Sequence, residues 1–387
     1  MRVGFPITYF CGWMGGANLA SLFTNSAYFA SKHCFNDVSC FLLYEIDPNN
    51  MTIPDIGYIK ASISQIQVGG VLGEFLKQSK YDDIYLYSDI NLICDSLNLE
   101  IIGPSGSDLG PNFKIPWIGY ISDFQHRHYP SFFNQKEILS REINFMGLIK
   151  NSEMTFVNSS TVVNDIHKFY AKNEINSIIR QFPPMMPFII NDISGDQLKD
   201  ELNIANNYFI VCCQQWKHKR HDLIINAFSN FLKETENNFA LYITGEEDDY
   251  RHPELKTQIR SLIASSGLMD SVKYLGLINR EKQLALIDGS CALIQASVIE
   301  GGPGASGVME AAALDNLIIA SKIEANLEMY YGRHIYFPTD DQKSLTAAMI
   351  QASMLNSRHR KPIGKEEVEA VNLSAGIRLI RTIKSIA

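Results

Sequence analysis

Two α/β domains of similar size, each built on a parallel sheet, are what this sequence predicts, and three observations carry that expectation. Short apolar runs recur at Ile84–Tyr87, Trp117–Ile121, Met154–Val157, Tyr208–Cys212, Ala240–Ile243 and Leu317–Ala320. Segments of helical period, such as Asp222–Leu232 and Leu255–Ile263, lie between many of them, which is the alternation of βαβ units. The third observation is the stretch QFPPMMPF, with three prolines in five positions, which discourages regular structure near 181–196 and divides the chain in two. A polar, helix-like stretch follows, and a fresh strand opens at Tyr208. At about 150 residues per domain, 387 residues suffice for two cores. Paired domains of this kind leave a central cleft, toward which the C-terminal ends of the strands point.

Charge and cysteine usage narrow the function. The formal net charge is −8, so a broad nucleic-acid surface is not expected. Residues 1–170 hold 11 Lys and Arg against 16 Asp and Glu, which lacks the basic excess of strong docking to anionic lipid. At most a weak peripheral membrane association is expected. The seven cysteines form no C-x-x-C, and free thiols in a reducing compartment fit them. The N-terminal MRVGFPITYFCGWMGG has its apolar run broken by Pro6, Gly12 and the Gly15–Gly16 pair, so it reads as a first strand and tight loop rather than a signal peptide. No run of 18 apolar residues occurs, and no transmembrane helix is expected. The expected location is the cytoplasm or the inner face of the cell membrane.

The most informative segment is SCALIQASVIEGGPGASGVMEAAALDNLIIASKIEANLE, residues 290–328, which reads as strand, glycine loop, helix, strand. Gly301, Gly302, Gly304 and Gly307 let the backbone approach a ligand. The helix that opens near Ser306 presents N–H groups and a positive dipole end, a seat for a diphosphate. Carboxylates bracket the loop at Glu300 and Glu310, and an ionised carboxylate accepts hydrogen bonds from the vicinal hydroxyls of sugar and ribose. A strand–helix turn whose glycines only permit packing explains the same residues.

A second segment, VCCQQWKHKRHDLIINAF, places Lys217, Lys219 and Arg220 at the entry to an amphipathic helix. Cations there oppose the helix dipole and are easier to explain with an anion between them. A departing nucleoside diphosphate is such an anion, and without a metal the protein must supply cations and N–H groups. A solvated basic turn, with Trp216 packing, is the alternative. In the first half, WIGYISDFQHRHYPSFF crowds Asp123, Gln125, His126 and His128 at a strand end, with aromatics around them. Their spacing matches no metal site.

With these residues in view, EGGPGASGVME and the downstream LIIASKIEANLE resemble the nucleotide-sugar loop of retaining glycosyltransferases of the GT-B fold, family 4 above all. DFQH is similar to a subgroup that builds bacterial surface polysaccharides such as lipopolysaccharide. The resemblance covers nearly the whole chain and implies two Rossmann-like domains. Residues 1–183 would be the acceptor-side domain, 184–365 the nucleotide-sugar domain, and 366–387 a helix returning to the first. It implies that Glu300 contacts the transferred sugar and Glu310 the ribose. The spacing between them is longer here than the family's usual one, with the extra residues placed within Gly304–Gly307. Lys219 falls on the position of a diphosphate-binding Lys, while Gln214 stands where the family has an Arg, with Arg220 as the candidate replacement. YLGLIN places Leu277 and Ile278 against the nucleobase, Gly15 and Gly16 match the first glycine loop, and His126 matches a His that approaches the donor sugar.

The resemblance implies transfer of a hexose or deoxyhexose from a nucleotide-diphosphate sugar to a glycan or lipid-linked acceptor, with retention, the leaving phosphate oxygen acting as base. No cofactor or metal is expected, since no Asp-x-Asp occurs. A sugar-nucleotide hydrolase or epimerase on the same fold, and a non-enzymatic two-domain sugar-binding protein, are the alternatives.

Overall fold

The computed structural model describes all residues except 48–57, 188–203, 206, 237, 304–305 and 356–360. The chain divides into two compact units. The first comprises Met1–Phe124, Lys136–Met186 and Glu366–Ala387, and the second Gln125–Gln135 and Pro187–Lys365.

In the first unit the strands are β1 (Arg2–Pro6), β2 (Ser39–Glu45), β3 (Tyr58–Ser62), β4 (Asp83–Tyr87), β5 (Ile101–Ser105), β6 (Trp117–Ile121), β7 (Met154–Val157) and β8 (Ile178–Gln181). They form one sheet in the order β3-β4-β2-β1-β5-β6-β7-β8, parallel except for the β3–β4 pair. β5, β6 and β7 are buried along their whole length, because a parallel sheet is covered on both faces. That is why β6 and β7 appear in the sequence as short apolar runs.

The helix Lys365–Lys384 packs on the helix Met14–His33. A Cβ on Gly376 would collide with the Ser26 carbonyl, so the two backbones approach closely there. The buried Asn372 side chain accepts from Met186 N at 2.9 Å and donates to Met186 O at 2.8 Å, satisfying the backbone within the proline-rich stretch. Residues 366–387 thus form part of the first unit.

In the second unit β9 (Tyr208–Cys212), β10 (Ala240–Thr244), β11 (Val272–Gly276), β12 (Ala292–Gln295), β13 (Leu317–Ser321) and β14 (Arg333–Phe337) form a wholly parallel sheet in the order β11-β10-β9-β12-β13-β14. One hydrophobic cluster lies under the helices His221–Thr235 and Gln342–Met354, and another under Arg280–Gly289 and Ser306–Ala313. Strand order reverses between β9 and β12, and ligands of doubly wound sheets bind at such a switch point, beyond the strand C-termini. The loops that leave β9 and β12 there carry Lys219 and Glu300.

Residues 125–135 precede β7 in the chain, yet they group with the second unit. Tyr129 Oη donates to Val298 O at 3.4 Å, and Arg251 lies 4.5 Å from the centre of the Phe133 ring. Among the described residues no helix is long and apolar enough to cross a membrane.

Candidate active site

The switch point of the second unit brings two of the sequence-predicted residues into contact. Lys219 ends a single turn of 3-10 helix, Lys217–Lys219, just before the helix His221–Thr235. Its ammonium donates to Glu300 Oε1, and both side chains are about nine-tenths buried. Gln295 Nε2, at the end of β12, donates to the same oxygen at 3.1 Å. The Val298 N–H donates to His218 O at 3.0 Å and ties the two loops together. A buried ammonium and carboxylate each need the other, since either alone in a low-dielectric setting is costly.

Arg220 adopts the left-handed conformation, φ 54°, and its guanidinium turns to carboxylates. It bonds both oxygens of Asp222 at 3.0 Å and pairs with Asp340. It is not brought to Glu300, and its charge is already engaged. Gln214, at the Arg position of the resemblance, donates to Glu246 Oε2 and Asp248 O, each at 3.3 Å. Lys217 is exposed, with its ammonium 5.5 Å from the centre of the Phe132 ring. Lys219 is therefore the cation that the structure sets beside Glu300.

Glu310 lies in the helix Ser306–Ala313 and is only 1% exposed. Its Oε2 accepts from Gln283 Nε2 at 2.9 Å, and its Oε1 lies 2.7 Å from Arg280 Nη1, an ion-pair distance without hydrogen-bond alignment. Both partners come from the helix Arg280–Gly289. Ser306 is the first residue of its helix. A Cβ on Gly307 would meet Cys212 Cβ at 2.8 Å, so this glycine allows the helix to press on the end of β9. Gly301 and Gly302 form a partly exposed bend, and Gly304 lies outside the described residues. Leu277 is exposed, whereas Ile278 packs on the second cluster. Gly276, φ +67°, turns the chain between β11 and these two.

His126 is buried in the short helix Gln125–His128, its ring edge-on to Phe133 at 6.3 Å. It belongs to the same unit as Lys219 and Glu300. Gly15 and Gly16 belong to the first unit, in the opening turn of the helix Met14–His33. A Cβ on Gly16 would strike the Phe10 carbonyl and come within 2.7 Å of the Trp13 ring, so packing alone requires this glycine. Asp123, in the first unit, pairs with Arg141 at 3.3 Å.

The sequence reading did not single out Gln295, Arg280, Gln283 or Asn326. Gln295 was marked by a polar residue ending the apolar run CALIQ, which a buried strand tolerates only with a partner. Nothing local marked Arg280, because its partner lies on another helix.

Residues 196–367 match the family model described as Glycosyl transferases group 1. No curated protein matches the chain in sequence. Among solved structures, HepE of Anabaena in complex with UDP and glucose is similar, with TM-score 0.67, 12% identity and 100% of both chains covered. Sucrose-phosphate synthase of Thermosynechococcus elongatus gives 0.66 and 16%, again with 100% of both chains covered. A glycosyltransferase of Rickettsia africae gives 0.63 and 14%, over 99% of this chain and 97% of its own. At such identities these likenesses establish the fold. The chain has the GT-B fold, and its residues 196–367 match the glycosyl transferases group 1, which supports glycosyl transfer as its chemistry.

Proposed function

We propose that this chain is a retaining, metal-independent glycosyltransferase that moves a hexose or deoxyhexose from a nucleotide-diphosphate sugar to a glycan or lipid-linked acceptor. The observation that carries the proposal is the buried Lys219–Glu300 pair at the β9–β12 switch point, a cation and a carboxylate held next to one another beside a helix N-terminus. The cation suits a leaving diphosphate and the carboxylate suits sugar hydroxyls. The helix N-terminus behind Lys219 adds N–H groups of the same polarity.

In the reaction, the acceptor hydroxyl oxygen bonds to the anomeric carbon on the face from which the diphosphate departs. The bond from that carbon to the diphosphate oxygen breaks, and the acceptor proton passes to the departing oxygen. Lys219 offsets the charge that builds there, Glu300 and His126 hold the sugar, and Glu310 binds the ribose. Gly301, Gly302 and Ser306 offer backbone to the phosphates, and Leu277 and Ile278 flank the base. HepE has been solved with UDP-glucose, which favours a uridine donor as the first to try. A role in building bacterial surface polysaccharide agrees with the DFQH resemblance and with the structural likeness to WaaG, which acts in lipopolysaccharide biosynthesis.

Retention has a direct test. NMR of the first-formed product should show the anomeric configuration of the donor. The opposite configuration would reject the mechanism and require a base on the acceptor side, for which Asp123 would have to leave Arg141.

A further inference from the structure

A carboxylate discriminates among sugar hydroxyls only if its lone pairs point in a fixed direction, and Glu300 is held by more than Lys219. Gln295, 4% exposed, donates from Nε2 to Glu300 Oε1. A terminal amide can be turned end for end, so its direction is decided by what faces its other end. That partner is Asn326, 3% exposed, whose Nδ2 donates to Gln295 Oε1 at 2.7 Å and to the Ser321 backbone carbonyl at 2.8 Å. A carbonyl only accepts. Asn326 must therefore turn its nitrogen to Ser321, Gln295 must turn its oxygen to Asn326, and the nitrogen of Gln295 must face Glu300.

The polarity of this relay is fixed from the end of β13 to the carboxylate. Its ends are anchored as well. Tyr336 Oη donates to Asn326 O at 3.1 Å, and Ser321 Oγ donates to Ser297 O at 2.5 Å. Both bonds of Glu300 fall on Oε1, and among the described residues no donor reaches Oε2.

We infer that Gln295 and Asn326 are positioning residues for recognition of the donor sugar. They hold Glu300 with Oε1 on Lys219 and Oε2 available to a sugar hydroxyl. The inference rests on the nucleotide-sugar reading of the site. It differs from a merely structural role in what it protects: the sugar-dependent part of affinity rather than the nucleotide-dependent part.

Two variants test it. Gln295→Met keeps the length and removes the amide. Asn326→Asp keeps the shape and replaces the donor by an acceptor, which faces the Ser321 carbonyl and disfavours the present orientation of Gln295. Should Asn326→Asp not fold, Gln295→Met decides alone. Calorimetry is run with UDP, GDP, dTDP and ADP, and with UDP-glucose, GDP-mannose, dTDP-rhamnose and ADP-glucose. Affinity for the best nucleotide sugar should fall roughly 10- to 100-fold, the scale on which supporting partners act. Affinity for the matching free nucleoside diphosphate should fall far less, since it meets Lys219 but carries no sugar hydroxyl for Glu300 to receive. Equal losses for both ligands, or no loss for either, would overturn the relay and leave the nucleotide-sugar reading standing. Failure of the wild-type protein to bind any of the eight would overturn that reading, and the relay with it.

Discussion

Removing the Lys219 ammonium is the most revealing single perturbation. Lys219 is 8% exposed and the Glu300 side chain 12%, so Lys219→Met strands a carboxylate that is nearly out of water. Breaking one partner from a buried ion pair costs about 3–5 kcal/mol. Gln295 continues to donate to Glu300, which places the loss near the lower end, about 3 kcal/mol. For a unit of this size that is a fall of roughly 6–12 °C in its melting temperature. Turnover should fall by about two to three orders of magnitude, the loss typical of a preorganised charge partner. The double variant Lys219→Met with Glu300→Gln removes the stranded charge and should recover most of the stability but none of the turnover. Urea denaturation of the four proteins gives the coupling energy, expected above about 1.5 kcal/mol, beyond the range of exposed pairs. A coupling below about 0.5 kcal/mol, or near wild-type turnover in folded Lys219→Met, would refute the reasoning.

Four further outcomes are expected. Glu310→Ala should weaken nucleoside diphosphate and nucleotide sugar alike by roughly tenfold or more, the worth of a charged hydrogen bond. Arg280→Ala should follow it, because Glu310 is then left buried with Gln283 alone; unchanged nucleotide affinity in calorimetry would take Glu310 off the ribose. Burial, and then the nearby Lys219 charge, push the His221 imidazole down to about 4, so the folded protein holds it neutral where the unfolded chain binds a proton. Stability from this group is fully present above its unfolded value of about 6.5 and is lost as pH falls toward 4, by up to about 1.4 kcal/mol per pH unit. His221→Gln should flatten the urea midpoint between pH 7 and 4.5; an equal slope in both proteins would reject that assignment. Turnover should survive EDTA, and a complete loss reversed by magnesium or manganese would overturn metal independence.

The fold was legible where burial is complete. Trp117–Ile121, Met154–Val157 and Tyr208–Cys212 are strands over the very residues whose apolar runs mark them, because a two-sided parallel sheet needs no polar alternation. The helix expected at Asp222–Leu232 spans His221–Thr235, and that at Leu255–Ile263 spans Leu255–Ser265. Strands such as β3, with no fully buried residue, lacked that signal. In the site, Lys219 and Glu300 could be named because each sits on a local motif at the mouth of a strand. What holds them could not. Asn326, in the short helix Glu324–Leu327, meets Gln295 at the end of β12, and Arg280 meets Glu310 between two helices, so sequence neighbours carry no trace of either contact. Arg220 shows the same limit: the basic run is visible in the sequence, but its pairing with the distant Asp340 is not.

Whether the second unit holds a nucleotide at the Lys219–Glu300 pair is decided most directly by a thermal-shift panel of UDP, GDP, dTDP and ADP on wild-type protein and on Lys219→Met. Binding to the folded state raises the melting temperature by mass action. One nucleotide should stabilise the wild-type protein strongly, and the same nucleotide at the same concentration should stabilise Lys219→Met much less. No shift with any of the four, or an equal shift in both proteins, would contradict a nucleoside diphosphate seated at that pair.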